Sequence, residues 1–205
     1  MKQLLSIFIL FLIITSCDPC DDCTSVTYEP TVQLKFINQD SISKLDALIS
    51  INSIEDDKID SLLQVIDDSE TNKIDSLNNE KSAIDSVNAA YNVIKSTINS
   101  GLILVQRISI VGSSYDSIYT DSASSFSIPL SYDKSFNQYE IVINDFSEII
   151  EFDYNNVQEL DESRNVLIRA TNIRVVESNY VKIDSVQSNC EETCIDGEAI
   201  FTFYF

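Results

Sequence analysis

The sequence predicts a mainly β protein, an antiparallel β-sandwich with a helical insertion between its first and second strands. Segments at both ends of the chain alternate apolar and polar residues with a period of two, as half-buried strands do. A stretch between them, at about 41–100, contains no Gly or Pro and places its apolar residues three and four positions apart. The length of 205 residues and the hydrophobic content of 44% suit one folded domain, expected over 31–205.

The first predicted strand is Thr31–Ile37, and its alternation places Val32, Leu34 and Phe36 on one face. Because the turns after Gly101 are mostly short and polar, neighbouring strands are expected to pair antiparallel. Pro129 cannot donate to a ladder, so its strand is expected at a sheet edge. The seven later strands are predicted at Leu102–Val111, Phe126–Leu130, Tyr139–Asn144, Glu148–Tyr154, Asn165–Val176, Tyr180–Val186 and Ala199–Phe205.

The helical insertion is predicted as a hairpin. A short helix over Ile59–Ile66 precedes the polar run Asp67–Lys73, where the chain is expected to turn. The alternative is one coiled-coil-like helix of about 45 residues. Gly101 is expected to cap the last turn. The apolar stripe of the later half comprises Ile74, Leu77, Ile84, Val87, Tyr91, Ile94 and Ile98, with one gap of seven residues.

The first 16 residues have the pattern of a secretory signal, with Lys2, an apolar run over Leu4–Ile14 and a small-residue boundary. The boundary Ile14-Thr15-Ser16-Cys17 resembles the bacterial lipobox. That resemblance implies that Cys17 is diacylated, becomes the first mature residue and attaches the chain to a membrane. An ordinary signal peptide cut near Ser16 and an uncleaved anchor helix are the alternatives.

Residues 17–30 are predicted to form a lipidated acidic tether. Asp18, Asp21 and Asp22 follow Cys17 closely. They resemble the acidic export signal of Bacteroidota surface lipoproteins, which implies a lipid-anchored protein of the outer membrane, exposed at the cell surface. A solvated tether that faces the periplasm is the alternative.

The other four cysteines are Cys20, Cys23, Cys190 and Cys194, an even number that suits disulfides in an exported protein. A four-thiolate zinc site would fit the same spacing. Bridges from the first pair to the second are favoured over two local loops. Each such long link would stabilise the fold by more than about 4 kcal/mol in the chain-entropy model.

One triplet, Asp-Ser followed by an aliphatic residue, occurs seven times. It resembles the O-glycosylation acceptor of exported Bacteroidota proteins. An amphipathic helix filled at i and i+3 would explain three of these serines without sugar, whereas two others fall in a polar stretch between predicted strands. The candidate sites are Ser41, Ser61, Ser76 and Ser86 in the insertion, Ser117 and Ser122 in the polar stretch, and Ser185.

The charge and the missing residue types argue against several functions. A formal charge of -20 repels nucleic acid and anionic surfaces. The chain has no His, the usual general base and metal ligand, and no Trp. No phosphate-binding loop or nucleophile elbow occurs. We therefore expect no enzymatic activity, no cofactor, no metal and no nucleic-acid partner.

Three segments carry a resemblance to a family: Ser127–Leu130, Tyr139–Ile143 and Ile149–Tyr154. With the lipobox and a late Cys, they resemble a group of small Bacteroidota outer-membrane lipoproteins of unknown function. The resemblance implies a lipid-anchored envelope protein with a binding or structural role.

Two alternative functions remain open. An exposed row of aromatic residues would favour a carbohydrate-binding or carbohydrate-active protein. An exposed stripe along Ile74, Leu77, Ile84 and Val87 would favour an assembly subunit that pairs with an envelope partner through its helical insertion.

Overall fold

The computed structural model describes residues 29–144, 146–160, 166–176, 180–191 and 193–205. They form nine strands in two sheets and two helices, which confirms the mainly β prediction. The strands are β1 (Thr31–Ile37), β2 (Val105–Ile110), β3 (Asp116–Ile118), β4 (Phe126–Pro129), β5 (Phe136–Ile143), β6 (Phe146–Leu160), β7 (Val166–Val176), β8 (Ser185–Ser188) and β9 (Ile200–Tyr204). The helices, α1 (Gln39–Val65) and α2 (Thr71–Asn99), lie between β1 and β2 in the chain.

The four-stranded sheet has the order β4-β1-β9-β8 and the five-stranded sheet the order β3-β2-β5-β6-β7. All pairs are antiparallel apart from β1 with β9, which is parallel, so the prediction of a purely antiparallel fold is wrong at this pair. The two strands lie at opposite ends of the chain, and everything between them supplies the long crossover that parallel pairing requires. As predicted, the strand containing Pro129 lies at an edge.

Two strand predictions differ from the structure. The segment expected to be a polar connection contains β3, which pairs with β2 and is held there by an ion pair between Arg107 Nε and Asp116 Oδ1 at 2.8 Å. The strand predicted at Tyr180–Val186 is instead the shorter β8, because the preceding backbone is bound by the carboxylate of Glu148. In both segments, contacts that the alternation of apolar and polar residues does not reveal decide the structure.

The two sheets share one hydrophobic core. Phe36 of β1 stacks on Phe203 of β9 with ring centroids 5.4 Å apart. Phe152 of β6 meets Phe201 of β9 edge to face at 5.1 Å, which joins the five-stranded sheet to the four-stranded one. The faces predicted from alternation are buried, as seen at Val32, Leu34, Phe36, Tyr139, Ile141, Ile143, Ile150, Phe152, Tyr154, Ala199, Phe201, Phe203 and Phe205.

The helices form the hairpin rather than the single long helix. Asn38 Oδ1 accepts from Ser41 N at 2.8 Å and caps α1. In the turn, Asp67 Oδ1 accepts from Ser69 N at 2.9 Å, which lowers the pKa of that carboxyl. Gly101 follows α2 with φ of 78°, which confirms the predicted glycine cap.

Both ends of the hairpin lie next to each other on the sheets. A Cβ added to Gly101 would lie 3.6 Å from the carbonyl oxygen of Phe36 and 3.2 Å from that of Ser124. The helices pack chiefly against each other, and no residue of α2 is fully buried. The hairpin therefore leaves and rejoins the sheets at one place and projects from it.

Candidate functional site

The hairpin is an antiparallel coiled coil with a strict seven-residue repeat. In each helix, a row of buried or half-buried side chains recurs at alternating steps of three and four residues. We call these two rows the seam. It comprises Ile42, Leu45, Ile49, Asn52, Asp56, Ile59, Leu63 and Ile66 from α1 and its C-cap, and Ile74, Leu77, Lys81, Ile84, Asn88, Tyr91, Lys95 and Ile98 from α2.

Polar residues within the seam fix its register. Asn52 Nδ2 donates to Asn88 Oδ1 at 2.8 Å across the middle of the hairpin. The pair sets which residues of the two helices lie level with each other, because each further step along one helix is matched by a step back along the other. A polar pair at a core position specifies register at some cost in stability.

Two lysines of α2 leave the seam towards acids of α1. Lys81 Nζ lies 3.5 Å from Asp56 Oδ2 and also binds Asp60. Lys95 binds Asp46 in the same way nearer the sheets. The hydrogen bond to Asp60 is the main cause that raises the pKa of Lys81 above its ordinary value. These pairs lie on one side of the hairpin, which is polar.

The predicted apolar stripe is divided by the structure. Ile74, Leu77 and Ile84 are half-buried in the seam, against α1 rather than against the sheets. The gap of seven residues between Leu77 and Ile84 is filled by Lys81, whose charge hid the repeat. Val87, at 41% exposure, lies outside the seam.

A second apolar row runs beside the seam, on the side opposite the lysine–aspartate pairs. The row follows from the seven-residue repeat. Beside each seam position that precedes a four-residue step, the residue one place earlier and the residue three places later lie on the same side of the helix. We call it the apolar flank and define it by Leu48, Ile51, Val87 and Ile94, which are 42%, 61%, 41% and 48% exposed. In the described part of the chain, no other element packs over the apolar flank. Exposed apolar rows of this kind mark interaction sites.

A cleft of about 1030 Å³ lies where the edge strands β7 and β8 of the two sheets separate. Its floor contains buried side chains of the core, among them Tyr154 and Phe201. Its rim is polar, with Arg174 Nε donating to Asp153 Oδ2 at 3.1 Å. It is also lined by Tyr180, Asp184, Ser185, Cys190 and Cys194.

The structure corrects the predicted disulfide pairing. Cys190 is bonded to Cys194, whose Cα atom lies 5.3 Å away. The intervening loop brings the two residues together locally, and the loop is itself tied to β7, because Ile173 N donates to Cys194 O at 3.2 Å. Bridges from Cys20 and Cys23 to this pair are therefore wrong for this structure.

Sequence reasoning did not identify two buried carboxylates that fix loops. Glu148 is 3% exposed and accepts from the backbone N–H of Val181 at 2.9 Å and of Lys182. Asp196 is 2% exposed and accepts from Ala170 N at 3.0 Å. Glu148 could have been noticed, since it follows the β5–β6 turn at a position that the alternation buries.

The structure places the candidate glycosylation serines in different settings. Ser61 and Ser86 donate to carbonyl oxygens one helical turn earlier, as helix-filling residues do. Ser117 is half-buried in β3, so its predicted place in an open connection is wrong, because β3 pairs with β2 there. Ser122 and Ser185 are exposed, as is Ser76, and Ser41 is half-buried. Modification of these serines stays a prediction.

The N-terminal predictions fall on residues that are not described. Cys17, the acidic residues Asp18, Asp21 and Asp22, and the pair Cys20 and Cys23 all lie outside the described residues.

Within the described ranges, no helix is long and apolar enough to cross a membrane. The same ranges contain no cluster of three or more side chains able to hold a metal ion.

No family model, no curated protein and no solved structure matches this chain.

Proposed function

We propose that this chain is a lipid-anchored protein of the bacterial outer membrane with a non-enzymatic binding or structural role. The anchor is supported by the lipobox-like Ile14-Thr15-Ser16-Cys17, and the export route by the acidic residues that follow it. The non-enzymatic role is supported by the absence of His from the sequence. In this proposal the membrane is reached only through the lipid, and the folded part stands in the surrounding water.

The observation that carries the binding role is the apolar flank on a projecting hairpin. We infer that the two sheets form a β-sandwich that serves as a platform, with the hairpin as an insertion. Helices held by their own seam need no extra apolar surface for stability, yet the flank exposes Leu48, Ile51 and Ile94. This arrangement supports the assembly role, in which the insertion contacts another protein of the envelope.

The anchor is tested by metabolic labelling with a fatty-acid analogue in the native cells. The wild-type chain should incorporate label and fractionate with the outer membrane, while Cys17→Ser should lose both. Cys20→Ser is the matched control, because it changes a nearby cysteine that the lipobox does not nominate, and it should keep its label. An unlabelled wild-type chain free in the cytosol would refute the proposal.

Protease treatment of intact cells distinguishes a surface position from a periplasmic one. If Asp18, Asp21 and Asp22 act as the export signal, replacing all three by Asn should protect the hairpin from cleavage without loss of the lipid label.

The cleft beside the disulfide supports a second candidate, a carbohydrate-binding role. Its rim offers carboxylates, a guanidinium and Tyr180, which are groups that hydrogen-bond to sugar hydroxyls and stack on sugar rings. The described residues do not, however, present an exposed row of aromatic side chains. Calorimetric titration with defined neutral oligosaccharides, with Tyr180→Ala as the comparison, tests it, and heats equal to those of dilution would remove this candidate.

A further inference from the structure

We propose that the apolar flank docks against the same flank of a second copy of this chain. The two hairpins would lie face to face and antiparallel, related by a two-fold axis that passes α1 between Ile49 and Ser50. This inference deepens the binding role proposed above by naming the partner, and it rests on that role.

Four consecutive exposed residues of α1 along the flank are spaced symmetrically about their centre. Lys44, Leu48, Ile51 and Glu55 follow one another at steps of four, three and four residues. A two-fold axis at the centre of this set places Lys44 opposite the partner's Glu55 and Leu48 opposite the partner's Ile51. Each contact occurs twice, as an isologous interface requires.

The second helix obeys the same axis without adjustment. Since Asn52 faces Asn88, the centre of the α1 set lies level with a point between Ala90 and Tyr91 on α2. The flank positions of α2 are Val87, Ala90, Ile94 and Thr97. An axis at this point places Val87 opposite the partner's Ile94 and brings the two copies of Ala90 next to each other. Two helices therefore give one common centre.

The distribution of charge favours docking of a second copy at this part of the hairpin over the other parts. The chain carries -20 overall, so two copies repel each other over most of their surfaces. The segments that would dock, 44–55 of α1 and 87–97 of α2, carry Asp46 and Glu55 against Lys44 and Lys95, and are neutral. Glu55 already has an exposed partner in Lys58 at 2.8 Å, and the partner's Lys44 would add a second cation to that pair.

The test is sedimentation equilibrium of the full chain, extracted in a mild detergent whose density the solvent matches. The wild-type chain should sediment as a dimer. Lys44→Glu and Glu55→Lys should each weaken dimerisation about tenfold, because two attractions become two repulsions. The double variant carrying both changes should restore it, since the reversed pairs are again opposite in charge.

A matched pair of variants on α2 separates the flank from the rest of the helix. Ala90 lies on the flank, and its neighbour Ala89 lies on the opposite side of the hairpin. Both residues are exposed. Ala90→Asp should weaken dimerisation by at least about tenfold, while Ala89→Asp should leave it unchanged. Far-ultraviolet circular dichroism establishes that each variant keeps its helices.

Three outcomes would overturn the inference: a monomeric wild-type chain, a dimer insensitive to Ala90→Asp, or a double charge variant as weak as the single ones. In the first of these outcomes, a monomer that co-purifies a different protein on this flank would leave the binding role in place. The lipid label at Cys17 is measured separately, so failure of the dimer and failure of the anchor are distinguishable.

Discussion

Tyr154 shows how a single buried hydroxyl can hold a loop. It is 2% exposed, and its hydroxyl donates to the backbone oxygen of Ser131 at 2.9 Å and also binds Asn137 Oδ1. Asn137 is itself 2% exposed and accepts from Ser131 N at 2.8 Å. The network closes the connection between β4 and β5, whose backbone would otherwise lack partners.

Tyr154→Phe should lower the free energy of unfolding by about 1–2 kcal/mol at neutral pH, because it removes a buried donor. Burial raises the pKa of Tyr154 from 10.0 to about 12. The folded state thus binds this proton more tightly than the unfolded state does. The resulting stabilisation is complete below about pH 10 and disappears as the pH rises towards 12. Urea unfolding at several alkaline pH values measures both effects.

The control for Tyr154→Phe is Tyr132→Phe in the same connection. Tyr132 is 49% exposed, so losing its hydroxyl should change the unfolding free energy by less than about 0.5 kcal/mol. If both variants follow the wild-type alkaline curve, the hydroxyl of Tyr154 does not contribute as described.

At the scale of the element, the seam combines apolar layers with one amide pair. Asn52 and Asn88 replace what would otherwise be two facing apolar residues, and they meet only in the observed register. Shifting either helix by one seam position would separate the amides and bring each against an apolar or charged residue. The pair therefore selects one alignment among several that the repeat alone would allow.

Replacing the amides separately and together tests this selection. Asn88→Leu should destabilise the hairpin by about 1 kcal/mol, because the amide of Asn52 loses its partner. The double variant Asn52→Leu/Asn88→Leu should be more stable than the wild type, since an apolar pair fills the layer. Thermal melting of the helical circular dichroism signal provides the measurement.

Asn92→Leu serves as the comparison for these seam variants, because Asn92 is exposed on the same helix. It should leave the melting temperature nearly unchanged. A single Asn88→Leu variant that melts as high as the double variant would show that the amide pair carries no coupling.

The elements differ in how well the sequence predicts them. Strands such as β5 and β6 were predictable because alternation alone decides which of their side chains are buried. The parallel pairing of β1 with β9 was not, since it depends on a strand at the far end of the chain. In the candidate site, Lys81 and Lys95 concealed the seam because their charges were assigned to solvent. Only the partner acids on α1 explain their half-buried positions.

At the scale of the whole molecule, the chain comprises two bodies of different construction and unequal burial. The sheets share a core with many fully buried side chains, whereas the hairpin has only Ile42 and Ile59 in that class. The hairpin joins the sheets at one place, where Gly101 lies next to the backbone of Phe36. Stability in such a molecule is expected to be unequal, with the hairpin opening before the sheets.

Because the ends of the hairpin are adjacent, we expect the sheets to fold without it. A variant in which a short Gly-Ser linker replaces 39–99 should keep a cooperative urea transition monitored by the near-ultraviolet signal of its tyrosines, with an unchanged midpoint, while the helical signal disappears. Deleting the insertion should remove little of the hydrophobic core, since α2 contains no fully buried residue. The control is the same linker variant with Phe36→Ala added in β1. It should not fold, because Phe36 is buried in the core, and its failure to fold would show that the assay detects loss of the core. An unfolded linker variant would mean that the hairpin is required to bring β1 and β2 to their sheets.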